Sequence, residues 1–281
     1  SWQLELADWI CDYYFCSKYD AVRLMLPKNI FRAPKKARKT KAETKKTKKE
    51  IIHTLTPEQE AIVDSIIKEK PPVALLHGIT GAGKTEIYKQ LIKNFIQEGQ
   101  QCLLLVPEIS LTPQLLKYFE AAFPQIAVIH SRISDGKKAE IWKSIQSGEI
   151  NLVIGSRSAL FSPFKNLGLI VMDEEHEWSY KQDQNPRYHA RETALKVAEL
   201  TGAQVVFGSA TPSVETFFKA TEGLYKLYTL SERISGTPLP NVQLIDMREE
   251  LKARNYTIFS DALEQKMRST LAKKEQIILF L

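Results

Sequence analysis

Val73-Ala74-Leu75-Leu76-His77 runs directly into Gly78-Ile79-Thr80-Gly81-Ala82-Gly83-Lys84-Thr85, and the residues after it recur at helical spacing. An apolar strand, a glycine-rich turn ending in Lys-Thr and then a helix is the context that a phosphate-binding loop requires. Without Cβ atoms at its glycines, such a loop can turn its amide N–H groups onto a polyphosphate, and the following helix adds the favourable end of its dipole. Lys84 is then placed to neutralise the β and γ phosphates and Thr85 to ligate Mg²⁺. The whole segment from Gly78 to Thr85 is the expected cofactor-binding loop, with ATP and Mg²⁺ the expected ligands.

Outward from this loop, short apolar runs alternate with helical patterns. They lie at residues 73–77, 102–106, 127–130, 152–154, 169–172 and 205–207. Strands of this kind, alternating with helices, predict an α/β fold with a predominantly parallel sheet covered by helices on both faces. Thr56-Pro57, Thr112-Pro113 and Thr211-Pro212 each set a capping hydroxyl before a proline that tolerates the first helical position, so three helices are expected to start there.

Leu169-Ile170-Val171-Met172 ends in Asp173-Glu174-Glu175-His176. Acids directly after a buried strand emerge at the carboxyl end of the sheet, where α/β folds bind ligands. Asp173 is expected to hold Mg²⁺ and Glu174 to orient or deprotonate the attacking water. Gly208-Ser209-Ala210-Thr211 offers two hydroxyls that could bond the Asp173 and Glu174 carboxylates and relay the nucleotide state, with Thr211 equally good as a helix cap. Gln59, in Thr56-Pro57-Glu58-Gln59, suits a capping box or an adenine contact. Between the acids and the hydroxyl segment, Trp178, Tyr180, Lys181, Arg187, Tyr188 and Arg191 combine aromatic faces with cations. That mixture suits single-stranded nucleic acid, and it also suits a loop anchored by its own aromatics.

Composition narrows the setting. The 281 residues are 43% hydrophobic, enough for a full core. Cys11, Cys16 and Cys102 form no paired C-x-x-C set, which leaves neither a disulfide framework nor a zinc site. No apolar run approaches the roughly 20 residues of a membrane span, and no basic-then-apolar signal opens the chain, so a cytoplasmic location is expected. The formal charge of +6 is local, because residues 32–50 hold ten Lys or Arg against two Glu. That stretch lacks an apolar period, and residues 32–52 are expected to be an extended linker. Residues 1–31 show helical spacing and read as the remnant of a preceding domain; residues 53–230 are the expected lobe, and 231–281 a connector leading into a further piece. Ser1 and the strand-like run Gln276-Ile277-Ile278-Leu279-Phe280-Leu281 read as cut ends.

These motifs resemble those of superfamily 2 helicases, and specifically of the PriA family of primosomal replication-restart DNA helicases. Gly78 to Thr85 resembles the family's Walker A, Asp173 to His176 its Walker B, Gly208 to Thr211 its motif III, and Gln59 its adenine-reading glutamine. Val106-Pro107-Glu108-Ile109-Ser110-Leu111-Thr112 and Gly155-Ser156-Arg157-Ser158-Ala159-Leu160-Phe161 resemble motifs Ia and Ib, and Arg187-Tyr188-His189-Ala190-Arg191 resembles part of the family's aromatic-rich loop. The resemblance implies a RecA-like lobe 1 of a 3′-to-5′ ATP-dependent DNA helicase, with residues 1–31 the end of a winged-helix domain and 231–281 the entry to lobe 2. It implies coupling roles for His176, Ser209 and Thr211. The implied partners are DNA forks and single strands, single-strand-binding protein and helicase-loading proteins; zinc is implied only for a second lobe. Two rival readings are another superfamily 2 translocase and a nucleotide-switched DNA-binding platform.

Overall fold

Strand residues alternate between two apolar cores. Leu75, Leu103, Leu105, Ile170, Met172, Val205 and Phe207 pack on one face, while Ala74, Leu76, Cys102, Leu104, Leu169, Val171 and Val206 pack on the other. A sheet apolar on both faces must be covered on both, which accounts for the long apolar runs in the sequence. The structure, a computed structural model, describes residues 1–27, 30, 54–130, 133–234, 236 and 240–280. The linker expected at 32–52 lies outside the described residues.

Seven strands, β1 (Val73–Gly78), β2 (Gln101–Leu105), β3 (Ile126–Ile129), β4 (Leu152–Gly155), β5 (Leu167–Asp173), β6 (Gln204–Ser209) and β7 (Lys226–Leu230), form one sheet in the order β3-β4-β2-β5-β6-β1-β7. Every pairing is parallel. The expected parallel, doubly covered sheet is therefore present, with β7 added at an edge. β7 escaped the periodicity reading because Lys226 and Thr229 are exposed and only Tyr228 and Leu230 are buried.

Helices α1 (Trp2–Tyr14), α2 (Lys18–Met25), α3 (Pro57–Glu69), α4 (Lys84–Gln97), α5 (Pro113–Ala122), α6 (Asp135–Ser147), α7 (Ala190–Thr201) and α8 (Val214–Thr221) complete the first unit, residues 1–236. α3, α4 and α5 cover one face; α1, α2 and α7 cover the other. The two first expected caps are present. Thr56 accepts from Gln59 N and Gln59 returns a bond to Thr56 N, while Thr112 accepts from Leu115 N. The third is corrected: α8 is capped by Ser213, which accepts from Thr216 N, two residues beyond Thr211.

The N-terminal helices share this core. Leu6, Ala7, Ile10, Ala21 and Met25 are buried in the same core as β5 and α7, so residues 1–27 pack against the lobe. The second unit, residues 237–281, contains α9 (Met247–Lys252) and α10 (Asp261–Ala272). Asn255 organises it, its Nδ2 donating to Glu250, to the Phe259 carbonyl and to Asp261. Residues 276–280 form no strand, and Ile278 and Phe280 are fully exposed: the run has strand composition but no neighbouring strand to pair with among the described residues. No helix among the described residues is long and apolar enough to cross a membrane.

Candidate nucleotide site and its neighbouring loop

β1 ends at Gly78 and α4 begins at Lys84, leaving a tight loop between them. Gly81 and Gly83 hold φ of 84° and 81°, the left-handed region that glycine enters without a Cβ penalty. Ala82 N donates to the Ile79 carbonyl at 3.1 Å and closes the turn. Lys84, buried, donates from Nζ to the Gly78 carbonyl at 2.8 Å, so its ammonium is folded back across the mouth of the loop. Thr85 follows in the first turn of α4.

Gln59 is buried and does two things. Its Oε1 accepts from Thr56 N at 3.0 Å, and its Nε2 donates to the Ala82 carbonyl at 2.8 Å. The capping box therefore braces the glycine loop, and one amide hydrogen of Gln59 remains for another acceptor. A cavity of about 510 Å³ opens beside it, lined among others by Gln59, Gly83, Thr85, Thr112, Leu115 and Tyr118. Its size falls in the range of small-ligand sites.

Asp173 ends β5, two strands across the sheet from β1, with β6 between them. Tyr88 Oη on α4 donates to Asp173 Oδ1 at 2.9 Å, joining the acid to the helix that the glycine loop starts. Burial pushes the Asp173 carboxyl up to about 6, against the lowering effect of the Tyr88 bond; the Glu174 charge raises it further and the Lys84 charge lowers it. Glu174 stands in the left-handed region at φ 46°, which turns the chain sharply at the strand end. Glycine loop, Lys84, Thr85 and Asp173 thus gather at the carboxyl edge of the sheet, and this donor set of amides, one ammonium, a hydroxyl and carboxylates suits a polyphosphate with a divalent cation.

The hydroxyls of Ser209 and Thr211 find a different partner from the one expected. Ser209 and Thr211 bond His176, not the carboxylates of Asp173 and Glu174. His176 Nδ1 lies 2.8 Å from Ser209 Oγ and its Nε2 3.3 Å from Thr211 Oγ1, while Glu174 Oε2 lies 3.7 Å from Nδ1. The imidazole reaches both hydroxyls because it leaves the β5 strand end beside the β6 strand end. Glu175, which sequence reasoning left without a role, is fully buried. It accepts from Ser213 N at 2.6 Å, from Thr216 Oγ1 at 3.1 Å and from Arg191 Nη1 at 3.2 Å. A buried carboxylate needs such partners, and these tie the acidic segment to the starts of α7 and α8.

That pairing removes Arg191 from the set expected to touch nucleic acid. Two aromatics leave it as well. Tyr180 is 1% exposed and donates from Oη to the Asp173 carbonyl at 2.7 Å. Tyr188 is 2% exposed and meets the Phe161 ring edge-on at 4.9 Å. Lys181 donates to the Arg187 carbonyl and sits over the Tyr14 ring at 5.5 Å. Trp178, 76% exposed, and Arg187 face outward. The loop is held from outside by Arg157, which donates to the Ser179 carbonyl and to Gln182 Oε1, by the Tyr14 hydroxyl accepting from His189 N, and by Asp20 accepting from Asn185. Partners in α1 and α2, more than 160 residues away in sequence, decide which side chains turn inward.

A family model described as DEAD/DEAH box helicase matches residues 56–219, more than half of the chain and the whole of the site just described. The chain belongs to that family. Among curated members, the replication restart protein PriA of Bacillus subtilis is 49% identical over 232 residues, covering 81% of this chain and 29% of the relative. PriA of Rickettsia felis is 39% identical over 279 residues, covering 99% of this chain and 42% of the relative. The chain thus spans less than half the length of these relatives. The solved structure of RecG bound to a three-way DNA junction shares the fold, with a TM-score of 0.52 at 24% identity, covering 73% of this chain and 28% of that one. DEAD/DEAH box membership accounts for the paired glycine loop and acidic strand end. It leaves the roles of individual residues to the geometry.

Proposed function

We propose that this chain is the ATP-binding lobe of a DNA-translocating motor that works in replication restart and acts together with a second lobe. The observation that carries the reading is the meeting of Lys84, Thr85 and Asp173 at one edge of the sheet, with His176 joining that edge to Ser209 and Thr211. Relatives sharing most of the chain's length are replication restart proteins by name, which supports the setting.

In this reading the amides of the loop from Gly78 to Thr85 bind phosphate oxygens and Lys84 neutralises the β and γ phosphates. Mg²⁺, when bound, supplies charge neutralisation between those phosphates. The Thr85 hydroxyl and the Asp173 carboxylate would hold it, and Glu174 would orient the attacking water and take its proton. The free amide hydrogen of Gln59 reads the base, and the adjoining cavity accepts the nucleoside. His176 passes the state of the Glu174 side to Ser209 and Thr211. Trp178 and Arg187 meet single-stranded DNA, with Lys181 joining them if the loop opens. Single-strand-binding protein and helicase loaders are the partners proposed for the full motor, with residues 1–31 continuing a winged-helix domain, 32–52 acting as tether and 231–281 leading to lobe 2; any zinc belongs there. The proposed setting is the cytoplasm and the proposed direction 3′ to 5′.

The test is ATP hydrolysis by a chain carrying this lobe and a second motor lobe, with and without single-stranded DNA. The reading predicts manyfold stimulation by DNA, abolished by Lys84→Ala and by Glu174→Gln. Hydrolysis indifferent to DNA would overturn it, and DNA affinity that responds to ATP without phosphate release would identify a switched binding platform instead.

A further inference from the structure

Tyr88 lies one turn into α4, beyond the loop residues that any phosphate-binding motif names. It is 1% exposed, and its ring packs in the core formed by α3, α4 and the sheet. A phenylalanine would fill that core equally well, so the hydroxyl calls for its own account. It donates to Asp173 Oδ1 at 2.9 Å. The third element at this point is the end of β6. A Cβ at Gly208 would overlap the Tyr88 hydroxyl, while the Gly208 carbonyl accepts from Glu175 N at 3.2 Å. One hydroxyl therefore sits where the helix from the glycine loop, the acid of β5 and the segment leading to Ser209 converge.

We propose that Tyr88 is the positioning residue that holds the Asp173 carboxylate for the cation of a bound nucleotide, and that Gly208 is a glycine because it must admit the Tyr88 hydroxyl. The inference rests on the nucleotide-lobe reading and names a residue that reading does not use. A donor on one carboxylate oxygen fixes the side-chain rotation and leaves the other oxygen to face the cation, as supporting bonds around metal ligands do.

The test is a titration of the 281-residue chain with a fluorescent ADP analogue, in Mg²⁺ and again in EDTA, for the wild type, Tyr88→Phe and Gly208→Ala. The ratio of the two affinities reads the cation alone. Tyr88→Phe should shrink the Mg²⁺ enhancement by about tenfold, with EDTA affinity changed by less than about twofold, since the loop amides and Lys84 are untouched. Gly208→Ala should reproduce the loss by displacing a hydroxyl it does not remove; if that variant fails to fold, Tyr88→Phe decides alone. An unchanged Mg²⁺ enhancement in Tyr88→Phe, or an equal loss in both media, would overturn the proposal and leave the tyrosine a core residue. A wild type that binds no nucleotide would overturn it by removing the reading beneath it, an outcome distinct from a wild type that responds to Mg²⁺ and a variant that responds equally.

Discussion

At position 173 a carboxylate suited to holding a cation stands where burial opposes its ionisation. The carboxyl is pushed from its ordinary 3.8 up to about 6. Between those values the folded chain binds more protons than the unfolded chain, so stability falls as pH rises through that window. Asparagine keeps an oxygen for the Tyr88 hydroxyl and carries no charge to desolvate. Asp173→Asn should therefore stabilise the nucleotide-free chain above pH 6, by on the order of 1–3 kcal/mol, and the gain should shrink as pH falls from 6 towards 3.8. Urea unfolding at several pH values measures it; a difference that does not change with pH would show that Asp173 stays ionised throughout. The glycine loop and Asp173 were legible in the sequence because their chemistry depends on neighbours in the chain. Tyr88 was not, since an aromatic four residues after Lys84 reads as core until the strand bearing Asp173 is placed beside it. Glu175 was likewise opaque, because its partners Arg191, Ser213 and Thr216 come from two later helices.

Among the elements, six of the seven strands and the starts of α3 and α5 followed from periodicity and capping, which are local signals. What the sequence left undecided was the orientation of side chains in a loop rich in aromatics. Composition alone suits both a surface that stacks on bases and a loop anchored by its own rings; the structure buries two of the rings and leaves Trp178 exposed. Tyr180 and Tyr188 turn inward to the Asp173 carbonyl and to Phe161, while Trp178 stays outside. The division predicts opposite phenotypes. Trp178→Ala should weaken single-stranded DNA binding by about 1–3 kcal/mol with little change in stability. Tyr188→Leu, which removes a ring packed on Phe161, should lower stability and leave DNA affinity unchanged. Fluorescence anisotropy with a labelled oligonucleotide separates them, and equal losses in both variants would place Tyr188 on the DNA-binding surface after all. The Ser213 cap of α8 belongs at this scale too. Thr211-Pro212 and Pro212-Ser213 offer competing starts, and Thr211 is instead drawn to His176.

For the whole molecule, residues 1–236 form one unit in which the N-terminal helices complete a core face, and residues 237–281 form another. The positive charge concentrated in residues 32–50 was legible as composition, whereas the packing of α1 against α7 was not, since nothing near Leu6 or Ile10 in sequence says which surface they cover. The site of the first unit carries the proposed loop, cation ligands and water-orienting acid. Nucleotide binding reads the loop and Lys84 directly, whatever a second lobe adds to turnover. Calorimetric titration of this chain with ATP and Mg²⁺ is the direct measurement. The account predicts one-to-one binding that needs Lys84, disappears in Lys84→Ala and proceeds with little phosphate release. No binding, or binding that survives Lys84→Ala undiminished, would contradict it.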